Sequence, residues 1–162
     1  MTVKALLATR KLIEMNILSL LDSYKVSHKW QYPEGTEVVY SNWTIRSSRL
    51  PVDDYYFFGL QYFIKEYLIF RWNKEFFSLP KDEALKRFRK TLKNSLNVTD
   101  LTHYEELHDL GYLPLEIMAV PEGTNLPLRT PCLTIRNTNP KFFWLTNMLE
   151  TVMSCVLWGM IN

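Results

Sequence analysis

The densest cluster of groups able to do chemistry is Asp22-Ser23-Tyr24-Lys25-Val26-Ser27-His28. It brings a carboxylate, an aromatic ring, an ammonium and an imidazole within a few residues of one another. A blander arrangement accounts for the same residues: a helix cap followed by a surface turn, since Asp and Ser oxygens bond the free N–H groups that open a helix. The second candidate is Arg46, followed by Ser47-Ser48-Arg49. A guanidinium presents a planar fork of donors, and with hydroxyls beside it suits a phosphate. A solvent-facing loop arginine is the commoner use of the same residue.

Other chemistries lack their residues. Cys132 and Cys155 have no metal-ligand spacing, and His28, His103 and His108 form no zinc pattern, so no metal site is predicted. Both cysteines lie in apolar sequence, which predicts buried, reduced thiols in a cytoplasmic protein. There is no glycine-rich phosphate loop, no nucleophile elbow and no paired His-Glu metal motif. With five glycines in all, backbone phosphate cradles are scarce. No residue of the chain is assigned a catalytic role.

The elements that must position these groups follow from composition and patterning. A chain of 162 residues suits one domain or a large piece of a multidomain enzyme. Its hydrophobic fraction of 47%, with five Trp, nine Tyr and nine Phe, excludes disorder. A formal net charge of +2 is too small to imply a nucleic-acid partner. Lys4, Arg10 and Lys11 invite a targeting reading, but Glu14 and Asn16 interrupt the apolar stretch and no cleavage site follows. Residues 142–161 are long enough to tempt a membrane assignment. Asn147 and Glu150 lie inside that stretch, and a carboxylate at mid-bilayer is costly, so a buried helix is predicted and no membrane partner.

Residues 2–21 could wind into a helix. Tyr32-Pro33-Glu34-Gly35 is a turn, and 37–45 is a strand rich in β-branched and aromatic residues. Over 55–72, Phe57, Leu60, Ile64, Tyr67 and Leu68 recur at helical spacing, and apolar residues nearly all round predict a deeply buried helix. A second helix over 80–96 has Pro80 in its first turn, Asp82 and Glu83 where the macrodipole favours anions, and a stripe of Leu85, Phe88, Leu92 and Leu96. Thr99 or Asp100 caps a third, which ends near Leu110 at Gly111. Strands are expected over 115–120, 126–128 and 132–136, and Asn139-Pro140 opens the last helix. Helices and strands without strict βαβ alternation predict an α+β fold, a mixed or antiparallel sheet with packed helices.

These same segments resemble a known family. Leu21-Asp22-Ser23-Tyr24-Lys25-Val26-Ser27-His28, followed by Gln31-Tyr32-Pro33, is similar to the N-terminal motif of nicotinamide phosphoribosyltransferases. The related nicotinate enzymes carry a different version of that run. Val39-Tyr40-Ser41 then leads to Arg46, and Phe58-Gly59-Leu60-Gln61-Tyr62 comes next. Leu113-Pro114-Leu115-Glu116-Ile117, Ala119-Val120-Pro121-Glu122-Gly123 and Asn137-Thr138-Asn139-Pro140 follow in the family's order. Trp144-Leu145-Thr146-Asn147 with Glu150-Thr151 completes a resemblance that spans about residues 16–159.

The resemblance implies the N-terminal part of a type II phosphoribosyltransferase. Residues 15–162 would be the domain that precedes the catalytic barrel, and 1–14 an extension. It implies transfer of a phosphoribosyl group from phosphoribosyl pyrophosphate to nicotinamide, in cytoplasmic homodimers whose active sites lie at the subunit interface. Tyr24 would lay its ring against nicotinamide in the neighbouring subunit's site, Asp22 would line the same pocket, and Arg46 would contact the phosphate of the ribosyl group. Mg2+ and ATP are implied for the full-length family and neither for this segment alone. The family's phosphorylatable histidine lies in a stretch that His28, His103 and His108 do not match. If barrel partners are missing, apolar surface is expected on the last helix. A different class of function, a stand-alone binding or dimerisation module that joins a full-length relative, instead predicts a polar outer face there.

Overall fold

The computed structural model describes residues 16–161. Most of the helix expected over 2–21, and the extension over 1–14, lie outside them. Within them, Ile17–Ser19 forms a single 3-10 turn, capped by the Asn16 side chain on the Leu18 N–H. A longer 3-10 helix spans Ser23–Trp30 and buries Lys25 and Val26.

β1 covers Tyr40–Thr44, shorter than the strand expected over 37–45. Its entry is set by a side chain: the Val39 N–H donates to Asn137 Oδ1 at 2.8 Å instead of joining a ladder. β2, Asp54–Tyr56, occupies the start of the stretch predicted as helix. Helix begins only after Gly59, whose φ of +96° suits a residue without Cβ. α1 is Leu60–Tyr62, and the chain continues as π-helix through Phe63–Arg71 and Asn73–Phe77.

That wider winding shifts part of the predicted buried face, although Phe57, Leu60 and Tyr67 of the predicted stripe are buried. Phe63, Tyr67, Trp72 and Phe76 are buried, a spacing of four and five residues instead of 3.6. Ile64 and Leu68 are half-buried, while Tyr62, Ile69 and Phe70 are exposed. The helix is therefore not buried all round. Gln61, Lys65 and Glu66 mark a polar side in the sequence, but apolar Tyr62, Ile69 and Phe70 lie outside as well, so the pattern understates the exposed face.

α2, Lys81–Leu96, starts on Pro80, whose carbonyl accepts the N–H groups of Glu83 and Ala84 at 2.9 and 3.0 Å. Leu85, Phe88 and Leu92 are buried as expected, but Leu96 is exposed beside Asn97, which ends the helix at φ +53°. α3, Thr102–Leu110, follows Asp100, whose Oδ1 accepts the Thr102 N–H, and stops at Gly111 at φ +81°.

β3 is Leu115–Ala119, β4 Asn125–Pro127 and β5 Pro131–Asn137. The main sheet runs β1-β5-β3, antiparallel throughout, with Asn42 opposite Thr134 and Ile117 opposite Ile135. β2 and β4 form a second antiparallel pair, Tyr55 opposite Leu126. The α+β fold with antiparallel sheets is as predicted.

The expected last helix is broken into three. Asn139 Oδ1 accepts the Lys141 N–H to open a 3-10 turn at Pro140–Phe142, then come α4, Leu145–Met148, and α5, Glu150–Ile161. Leu149, Met153 and Leu157 face the core, whereas Cys155 and Trp158 are exposed. Cys132 is buried as predicted and Cys155 is not, because a helix apolar on every side does not announce its outer face. The core itself is aromatic: Phe57, Phe63, Trp72, Phe76, Phe88 and Tyr104 are all essentially inaccessible. Among the described residues no helix is long and apolar enough to cross a membrane.

Candidate functional site

The Asp22–His28 segment is not a cap followed by a free turn. Asp22 holds the N-cap position of the 3-10 helix, yet its side chain caps no backbone N–H. Its Oδ2 instead accepts the Thr151 hydroxyl at 2.8 Å, and its own N–H donates to that same hydroxyl at 3.3 Å. Next to it, Lys25 is buried, its Nζ 2.9 Å from Glu150 Oε2 and 3.7 Å from Asp22 Oδ2. Two residues at the start of α5 therefore anchor the whole segment. A buried ammonium is tolerable only with such partners, because desolvation of a lone charge is severe.

Anchoring from below leaves Tyr24 on the outside. Its ring is 58% exposed, its hydroxyl donates to Asp22 Oδ2 at 3.4 Å, and the Lys25 ammonium lies 5.9 Å from its centroid. The His28 ring stands 5.4 Å from Tyr24 and 6.4 Å edge-on from Tyr32. Burial, then the Lys25 charge, hold the His28 imidazole below its usual pKa against an opposing pull from Glu150. Its Nδ1 is buried without a hydrogen-bond partner. The segment thus offers one accessible aromatic face with a carboxylate at its edge.

Arg46 sits elsewhere. An open cleft of about 650 Å³ lies between β1 and α5, lined by Ser41, Trp43, Arg46, Asn147, Glu150 and Trp158 among others. Side chains hold its walls together: Ser41 Oγ donates to Asn147 Oδ1 at 2.6 Å, and Trp43 Nε1 to Ser154 Oγ at 3.0 Å. Asn147 in turn donates to the Tyr32 hydroxyl at 2.8 Å. Arg46 is exposed where this cleft meets a shallower one shared with Ser47, Ser48 and Arg129. The Arg129 N–H donates to the Ile45 carbonyl at 2.8 Å, which fixes the base of the Arg46 loop.

Of the residues singled out in the sequence, Asp22 and Tyr24 come into contact, and Arg46 does not touch either. Glu150 joins the two regions, since it lines the cleft and holds Lys25. Glu150 registered in the sequence as a reason against a membrane span and, with Thr151, as part of a motif, neither with a role of its own. Their partnership with a segment about 125 residues away has no local signal. Lys25 at i+3 from Asp22 was the one readable hint. Among the described residues no three His, Cys, Asp or Glu side chains gather, and no residue is assigned to the Mg2+ implied for longer relatives. No step involving it or ATP is assigned to them.

Known proteins match this sequence and, separately, this fold. Residues 16–117 match the family described as nicotinamide phosphoribosyltransferase, N-terminal domain. A nicotinamide phosphoribosyltransferase of Acinetobacter baylyi is 48% identical over 152 residues, covering 89% of this chain and 30% of the relative. Another from Xanthomonas campestris pv. campestris is 34% identical over 140 residues, covering 85% of this chain and 28% of its own length. The chain thus spans about 30% of the length of these curated relatives. Among solved structures, human nicotinic acid phosphoribosyltransferase superposes with a TM-score of 0.57 at 18% identity, over 84% of this chain and 25% of that one. At that identity the likeness is one of fold.

Proposed function

The chain belongs to the nicotinamide phosphoribosyltransferase family, as an N-terminal part, and we propose that it supplies a nicotinamide-pocket edge and a phosphate contact to a complete enzyme. The complete reaction joins the nicotinamide ring nitrogen to the ribosyl anomeric carbon, breaks that carbon's bond to pyrophosphate, and releases nicotinamide mononucleotide and pyrophosphate. The observation that carries the reading is the pairing of an exposed Tyr24 ring with Asp22 on a rigidly anchored segment.

A flat, electron-poor base favours an aromatic face, and a carboxylate beside that face can accept from a carboxamide N–H. Because the Tyr24 ring is exposed with the half-buried Asp22 carboxylate at its edge, the pocket they edge is completed by other protein, in a homodimer by the neighbouring subunit. Arg46, with Ser47 and Ser48, would hold the phosphate of the ribosyl donor as a fork of donors. Positioning and fixed charge are what this segment contributes to catalysis. The groups that stabilise positive character at the sugar belong to the remainder of the enzyme.

Two constructions test this. The 162-residue chain alone is expected to give no turnover with nicotinamide and phosphoribosyl pyrophosphate. Fused to the remaining length of the Acinetobacter baylyi relative, it is expected to form an active enzyme. Nicotinamide mononucleotide from the chain alone, or a folded but inactive fusion, would overturn the proposal.

A further inference from the structure

Lys25 stands out as a buried cation that neither the base pocket nor the phosphate contact uses directly. Its side chain is 1% exposed, while the carboxylates it faces, Asp22 and Glu150, are 45% and 57% exposed. The ammonium lies beneath the surface with an acid above it on each side: one edges the base pocket, the other lines the β1–α5 cleft. We infer that Lys25 is a positioning residue that sets where Asp22 and Tyr24 stand, and so sets affinity for the base.

The argument is electrostatic and geometric. Two carboxylate oxygens lie within 3.7 Å of one nitrogen, so the cation is what permits the two acids to be neighbours. Take it away and like charges face each other across a cavity of ammonium size. The easiest relief is for the Asp22 end of the Ser23–Trp30 helix to shift away from α5 while Val26 stays in the core, because the other polar tie to α5 is the Thr151–Asp22 pair of hydrogen bonds. That shift moves Asp22 directly and carries Tyr24 with it.

The inference that Lys25 controls this edge is independent of what the edge binds, whereas its effect on affinity rests on the reading of Asp22 and Tyr24 as a nicotinamide edge. The first test uses the 162-residue chain itself. Hydrogen exchange of the Asp22 amide and the NMR shifts of the Tyr24 ring are measured in wild type, Lys25→Met, Lys25→Arg and Lys25→Met/Glu150→Gln. Lys25→Met is expected to lower Asp22 amide protection about tenfold and to shift the Tyr24 ring, with core amides at Phe88 and Leu133 unchanged. Lys25→Arg keeps the charge, and the double variant removes the repulsion, so both are expected to recover most of that protection. Equal loss of protection throughout the core would mean that Lys25 is structural only, and unchanged Asp22 and Tyr24 signals would likewise overturn the inference.

In the fusion enzyme, Lys25→Met is expected to raise the KM for nicotinamide about tenfold, with kcat and the KM for phosphoribosyl pyrophosphate within about threefold. A silent Tyr24→Ala beside a clear local effect of Lys25→Met in the chain would sink the base-edge reading and leave Lys25's control standing. The converse, a strong Tyr24→Ala and a silent Lys25→Met, would sink the inference and leave that reading intact.

Discussion

Thr151 and Asp22 close a two-way hydrogen-bonded staple between α5 and the front of the chain: the Thr151 hydroxyl donates to the carboxylate at 2.8 Å and accepts from the Asp22 N–H at 3.3 Å. One hydroxyl serves as donor and acceptor at once, so a Ser could replace it and a Val could not. Thr151→Val keeps the shape and strands an N–H and a carboxylate oxygen. It is expected to cost about 1–2 kcal/mol in urea denaturation and to raise the nicotinamide KM of the fusion enzyme severalfold. Thr151→Ser recovering neither would show that the hydroxyl is not what matters.

Tyr24 separates ring from hydroxyl. The hydroxyl's bond to Asp22 is long and exposed at 3.4 Å, so it contributes little, whereas the accessible ring face is the feature proposed to bind the base. Tyr24→Phe is therefore expected to leave the nicotinamide KM within about threefold, and Tyr24→Ala to raise it about tenfold. If Phe proved as damaging as Ala, the hydroxyl would be the working group and stacking the wrong account.

Arg46 tests the phosphate contact. Arg46→Ala is expected to raise the KM for phosphoribosyl pyrophosphate by about ten- to a hundredfold while leaving the nicotinamide KM nearly unchanged. Arg46→Lys keeps charge and loses the fork, so an intermediate value is expected. The two arms are read by steady-state kinetics with each substrate varied in turn. A change confined to nicotinamide would place Arg46 with the base instead.

How much of this was legible beforehand differs between fold and site. Elements with contrast were readable: α2 shows a polar face against Leu85, Phe88 and Leu92, and Gly111 marks its neighbour's end. The 60–77 region was readable only in part: Leu60 and Tyr67 of the predicted stripe are buried, but its π winding also turns Trp72 and Phe76 inward, and apolar residues lie on the outside too. The Asp22–His28 cluster and Arg46 could be picked out by residue type, and Asp22 and Tyr24 within the cluster only through the family resemblance. That Asp22 bonds Thr151 and Lys25 bonds Glu150 could not, since nothing local in either segment reports a partner more than a hundred residues away.

Asn137 shows how a single buried amide fixes the cleft's frame. It is 4% exposed, accepts the Val39 N–H at 2.8 Å, and donates to the carbonyls of Glu37 and Asn139 at 2.8 and 3.0 Å. Asn137→Leu would leave the Val39 N–H and the Glu37 carbonyl without this partner, whereas the Asn139 carbonyl keeps the Phe142 N–H. An expected loss of about 2 kcal/mol follows from the usual cost of such groups, measured by urea unfolding. Asn137→Asp keeps the acceptor for Val39 and turns both donors into a repulsive carboxylate, so it is expected to be at least as harmful near neutral pH.

His103 gives the fold a pH dependence whose sign can be worked out. Burial, helped by the Lys29 charge, pushes its imidazole down to about 3, and Asp100 only partly opposes this. The rings of Trp30, Tyr104 and Trp144 pack around it at 4.2–5.4 Å, and its Nδ1 is buried without a partner. Above the ordinary value of 6.5, folded and unfolded chains both carry a neutral ring and the residue contributes no pH slope. Below it the unfolded chain takes up a proton that the folded chain refuses until about pH 3, so stability falls as pH falls through that window. The slope from this one residue approaches about 1.4 kcal/mol per pH unit. His103→Phe keeps an aromatic ring among its neighbours and removes the titration. Urea unfolding from pH 7 to pH 4 should therefore show a distinctly shallower loss of stability in His103→Phe than in wild type. Parallel curves would mean that His103 takes up its proton in the folded state without penalty, and that the ring cage around it is open to water.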